Sequence, residues 1–99
     1  MRLTREACRI IKASAQEIFG PSATVCVFGS RTNDEARGGD IDLLVECIEP
    51  VADRLRKTLA LTASLQRRLG DQQIDIIVTD PQTKQRPVHE VARRTGVPL

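Results

Sequence analysis

Aromatic residues are almost missing from this chain of 99 residues, which has no Trp, no Tyr and only Phe19 and Phe28. Without aromatic faces there is no platform on which nucleic-acid bases stack. An excess of one charge is missing too. Fifteen Lys and Arg stand against thirteen Asp and Glu, a net charge of +2, and that balance excludes nucleic-acid binding driven by charge alone. Cys8, Cys26 and Cys47 are widely spaced, form no Cys-x-x-Cys and share the chain with a single histidine, His89, which argues against a zinc site. The expected role of these cysteines is apolar filling by reduced thiols in a cytoplasmic protein. No apolar run approaches the length of a membrane span, and Arg2, Arg5, Glu6 and Arg9 interrupt the N-terminal segment. A soluble, unexported chain with no membrane contact is therefore expected.

The length predicts one small domain over residues 1–99, with a modest core and little room for a separate lobe that would bind a second substrate. Leu3, Ala7, Ile10, Ile11, Ser14 and Ile18 recur at helical spacing. They predict an amphipathic helix from Leu3 to Phe19, with Thr4 as N-cap and Gly20-Pro21 as its stop. Thr24 to Phe28 reads as a first strand and Ile41 to Cys47 as a second, with a short helix beginning near Ser30 between them. Glu49-Pro50 breaks the chain. A long helix is expected over Val51 to Leu69, its apolar stripe formed by Val51, Leu55, Leu59, Thr62, Leu65 and Leu69 and its end marked by Gly70. Gln73 to Thr79 reads as a third strand, Asp80 to Arg86 as a polar connection, and Val88, Val91, Ala92 and Thr95 as a short last helix stopped by Gly96 and Pro98. His89 on that helix is expected at the surface or facing a partner.

This order of elements predicts an α/β (α+β) fold, a small mixed β-sheet covered by helices. The long helix between the second and third strands implies a right-handed parallel crossover, whereas the short loop between the first and second favours an antiparallel pair.

Chemistry concentrates in Phe28-Gly-Ser-Arg-Thr-Asn-Asp-Glu-Ala-Arg-Gly-Gly-Asp-Ile-Asp-Leu-Leu-Val45. Gly29 and Ser30 follow a strand, where free backbone N–H groups and a hydroxyl accept phosphate oxygens. Asp40 and Asp42, two residues apart at the start of the next strand, place both carboxylates on one face. Such paired hard anions suit magnesium. With seven Asp in the chain, an isolated Asp-x-Asp is expected by chance about 0.5 times, but adding Gly-Ser at a fixed offset lowers the expectation to about one in a thousand. Asp75 adds a third carboxylate, a charge set inside the apolar run Ile74-Asp-Ile-Ile-Val78, where it is costly to bury alone. Its alternative reading is an edge-strand charge. Arg31 and Arg37 are placed to reach a triphosphate, while Arg67 and Arg68 suit the C-terminal end of the long helix.

Gly29-Ser30, nine intervening residues, Asp40-Ile-Asp42 and the later Asp75 resemble the nucleotidyltransferase superfamily that includes polymerase beta and the aminoglycoside adenylyltransferases. The chain is similar above all to its minimal members, the MNT antitoxins encoded beside HEPN-domain toxins. The loop before the first Asp is one residue shorter than in many members, and Gly38-Gly39 allows a tighter turn. The resemblance implies a polymerase beta-like core in which Asp40, Asp42 and Asp75 hold two Mg2+ ions. Gly29, Ser30, Arg31 and Arg37 would bind the triphosphate of ATP, and AMP would pass to a hydroxyl, in this family a tyrosine of the HEPN toxin. Further implications are homo- or hetero-oligomers, an acceptor site shared with the partner, and no direct nucleic-acid ligand. Two other readings stay open at the level of sequence: adenylyl transfer to a small hydroxylated molecule, and a non-catalytic module that binds its toxin.

Overall fold

The computed structural model describes residues 3–28, 41–70 and 73–99. Helix α1 spans Arg5–Phe19, and its first turn is closed as the sequence predicts: the Ala7 N–H donates to Thr4 Oγ1 at 3.0 Å. It stops at Gly20, whose φ of 111° suits a residue without Cβ and whose N–H reaches the Gln16 carbonyl at 2.9 Å. Strands β1 (Thr24–Phe28), β2 (Ile41–Glu46), β3 (Ile74–Thr79) and β4 (Val97–Pro98) form one sheet in the order β3-β2-β1-β4. β1 is antiparallel to both β2 and β4, and β2 is parallel to β3. The mixed sheet and the parallel crossover through helix α2 (Arg54–Leu69) are thus as the element order predicts. None of the helices among the described residues is long and apolar enough to cross a membrane.

Alternation along the strands gives the sheet two faces. Val25, Val27, Ile41, Leu43, Val45, Ile74 and Val78 point one way and pack on Ile11 and Ala15 of α1 and Leu61 and Leu65 of α2, forming the core. The opposite face carries Thr24, Cys26 and Phe28 of β1, Asp42, Leu44 and Glu46 of β2, and Asp75, Ile77 and Thr79 of β3, in lateral register. Among the described residues one helix covers part of this second face. Helix α3 (Pro87–Thr95) lies there, with Ala92 fully buried and the Cys26 thiol 3.9 Å from the Ala92 carbonyl. Arg93 on α3 is tied to the Glu46 carboxylate and, at 2.6 Å, to Gln85 Oε1.

Four expectations are corrected. Helix α2 begins at Arg54 instead of Val51, because the segment before it is held in another shape. Asp80 Oδ2 accepts the Val51 N–H at 2.8 Å, its Oδ1 accepts from the Gln82 N–H at 2.9 Å and the Thr83 hydroxyl at 3.1 Å, and Arg54 lies 3.6 Å away. Those donors, the Val51 N–H foremost, hold the Asp80 carboxyl below the usual carboxylate range against the opposing effect of burial. Asp53 completes the break, sitting in the left-handed region at φ 53°.

The buried stripe of α2 is only partly as expected: Leu65 is buried and Leu69 packs against the core, but Leu61 and Ser64 join them in place of Leu55 and Leu59, which are 73% and 59% exposed. His89 is buried instead of exposed. It occupies the third position of α3, after a Pro in the first, where its Nδ1 accepts the Arg86 N–H at 3.1 Å and its own N–H returns to the Arg86 carbonyl at 3.0 Å. A reciprocal pair of this kind normally uses Glu or Gln.

Finally, Gly96-Val97-Pro98 is not only a stop, since β4 pairs with β1 and the Leu99 N–H reaches the Val25 carbonyl at 3.0 Å. Pro98 is admissible there because β4 is an edge strand. The turn into it needs Gly96: a Cβ at that position would stand 2.5 Å from the Ala92 carbonyl oxygen and 2.8 Å from Cys26 Sγ. Gly96→Ala is therefore expected to push α3 and β4 off β1 and to destabilise the fold by about 1–3 kcal/mol. Urea denaturation measures this, and an unchanged midpoint would contradict so close an approach.

Candidate active site

At one end of the sheet β1 finishes and β2 and β3 begin. The antiparallel register sets Phe28 beside Asp42, and the parallel register sets Asp42 beside Asp75. All three side chains rise from the face that the core does not use. Because neighbouring strands lie about 4.8 Å apart, the two carboxylates emerge side by side. Asp42 is half-buried and already engaged in interactions within the chain, whereas Asp75 on the edge strand is exposed.

Like charges directly opposite each other on a sheet destabilise it. A cation between them reverses the sign of that interaction, and four carboxylate oxygens form a donor set that suits a hard divalent ion. One step further along the strands, Leu44 lies beside Ile77, buried and half-buried respectively. The arrangement can hold a metal-bound polyanion over the sheet while leaving Asp75 open to a second reactant from solvent.

The sequence-predicted site is only partly visible. Asp42 and Asp75 stand side by side because β2 and β3 pair, which the sequence left open. Gly29, Ser30, Arg31, Arg37 and Asp40, with the short helix expected near Ser30, lie outside the described residues. Among the described residues no group of three His, Cys, Asp or Glu could hold a metal ion; the visible donor set is the Asp42 and Asp75 pair.

Elsewhere on the same face a hollow of about 400 Å3 is lined by Thr24, Cys26, Leu44, Glu46, Arg93 and Gly96. Its thiol is not poised for nucleophilic attack. Burial pushes the Cys26 thiol up, the Glu46 carboxylate adds to that effect, and Arg93 opposes it. Burial likewise raises Cys47, helped by Asp80. Both therefore stay protonated at neutral pH, in keeping with the packing role expected from sequence. Phe28, which the sequence presents only as the last residue of a strand, is the neighbour of Asp42, and nothing short of the strand register identifies it.

Comparison with protein families finds that a model of the nucleotidyltransferase domain matches residues 8–95, taking in every element from α1 to α3. No curated protein matches the chain.

Proposed function

The chain belongs to the nucleotidyltransferase domain family, and from that premise we propose that it transfers AMP from ATP to a tyrosine hydroxyl of a HEPN-domain toxin, as an MNT-type antitoxin. The observation that carries the reading is the lateral pairing of Asp42 with Asp75 on the face opposite the core. That pairing supports a metal-assisted transfer site in a chain whose family moves nucleotidyl groups.

In this reading Asp40, Asp42 and Asp75 hold two Mg2+ ions, which when bound supply charge neutralisation at the phosphoryl oxygens and acidify the attacking hydroxyl. Gly29 and Ser30 bind the triphosphate through backbone N–H groups and a hydroxyl, and Arg31 and Arg37 add charge. Asp42 anchors the nucleotide side from its half-buried position. Asp75, exposed at the sheet edge, orients the acceptor hydroxyl and takes its proton. The acceptor oxygen then bonds to the α-phosphorus, the bond from that phosphorus to the bridging oxygen breaks, and pyrophosphate carries away the displaced electron pair.

The test is to incubate the protein with ATP, magnesium and the HEPN-domain protein encoded beside it and to weigh that partner by mass spectrometry. The expected result is a gain of whole AMP units on tyrosine, abolished by EDTA. A partner that binds tightly yet keeps its mass would make the chain a binding module. ATP affinity unchanged by EDTA would sink the metal assignment.

A further inference from the structure

Strand β3 lies at the edge of the sheet, and its inner side is spent on β2. The Ile41 N–H reaches the Gln73 carbonyl at 2.9 Å and the Cys47 N–H reaches the Thr79 carbonyl at 2.8 Å. By alternation, the odd-numbered residues of this stretch turn their backbone groups inward, and Ile74, Ile76 and Val78 turn theirs outward.

Along that outer edge runs a groove of about 410 Å3. Its floor is Ile76 to Val78, and its wall includes Arg54, Lys84, Arg86 and His89, with no carboxylate in the lining among the described residues. Lys84 and Arg86 are exposed, and among the described residues neither takes part in an ion pair. The position of Arg86 is set by the reciprocal hydrogen bonds with buried His89. An edge with outward N–H and C=O groups pairs with another extended chain, and a cationic wall beside it selects negative charge.

We infer that the outer edge of β3 is the docking site for an extended acidic segment of the acceptor protein, which joins the sheet as an added strand. The inference rests on the proposed transfer to a protein hydroxyl and says how that hydroxyl arrives. Asp75 is on the same strand, two residues before Ile77 and so about 7 Å along it. A hydroxyl-bearing residue of the added strand set opposite Asp75 stands on the active face, while acidic residues two to four positions away meet Lys84 and Arg86. A nucleic-acid strand would satisfy the cations but not the backbone edge.

The probe is a fluorescein-labelled nonapeptide with a central Tyr, Glu two and four residues to either side of it and Thr at the positions between, followed by anisotropy without ATP. Three comparisons accompany it: the Lys-for-Glu peptide, the acidic peptide with alternate amides N-methylated, and a twenty-residue oligothymidylate. The acidic peptide is expected to bind at least about tenfold tighter than the other two peptides and to lose that advantage in the Lys84→Glu, Arg86→Glu protein. Circular dichroism checks that the variant is folded, and Lys84→Gln with Arg86→Gln, expected to show an intermediate loss, serves as a second variant. Absence of binding at about 1 mM, equal binding of the N-methylated peptide, or binding of the oligothymidylate in place of the peptide overturns the inference. None of these outcomes touches the transfer reading, because ATP is not present. Conversely, AMP transfer to a protein acceptor that proceeds undiminished in the double charge reversal removes the docking site and leaves the transferase.

Discussion

Asp75→Asn is expected to leave the protein folded and still able to bind ATP with magnesium, while slowing AMP transfer by about 10²- to 10⁴-fold, the usual contribution of a positioned general base. The side chain is exposed on an edge strand, so an amide of the same shape disturbs no packing. What changes is one charge beside Asp42. Asp42→Asn is expected to behave differently, since its half-buried carboxylate sits between Phe28 and Asp75 and, in the proposed reading, holds the nucleotide side of the site. Metal-dependent ATP binding and transfer should both be lost in that variant. Calorimetry for ATP with magnesium, beside single-turnover transfer to the partner, separates the two roles. Transfer by Asp75→Asn at the unmodified rate would reduce Asp75 to a surface charge.

Leu65→Ala and Leu59→Ala are expected to differ by several kcal/mol although the two residues lie less than two turns apart on α2. Leu65 is fully buried against the sheet, and its truncation should cost about 2–5 kcal/mol through lost apolar contact and the cavity left behind. Leu59 is 59% exposed, so its truncation should stay within about 0.5 kcal/mol. For a domain this small a loss at the upper end of that range takes most of the stability. Chemical denaturation of the two variants measures the difference. Equal losses would mean that α2 presents both stripes to apolar surroundings.

That contrast also marks where local sequence stops being informative. The leucines at positions 55, 59, 61, 65 and 69 contain more than one helical stripe, and a stripe from Leu55 and Leu59 through Leu65 fits the period as well as one from Leu61 through Leu65. Periodicity gives the angle between residues and leaves the orientation of the helix open. The sheet chooses, because its inner face, Val45 and Val78 included, shares one core with Leu61 and Leu65. The start of α2 is decided at similar range, by an Asp80 carboxylate that holds the Val51 N–H from 29 residues away.

Features governed by neighbours along the chain are legible in its residues. The cap at Thr4, the glycine stops at Gly20 and Gly70, the three main strands and the crossover between β2 and β3 follow from spacing and backbone preference. The pattern of the Gly29-Ser30 and Asp40-x-Asp42 segment likewise points to the family that the match over residues 8–95 establishes. Which residues meet across the sheet is fixed by packing between distant parts of the chain. The register that sets Asp42 beside Asp75 is a relation between strands about thirty residues apart, settled by packing both inner faces on one core. The burial of His89 and the addition of Val97–Pro98 as a fourth strand depend likewise on where α3 lands on the second face. A two-residue strand has no periodicity of its own; it exists because β1 offers an open edge and Gly96 lets the chain approach it closely enough to pair.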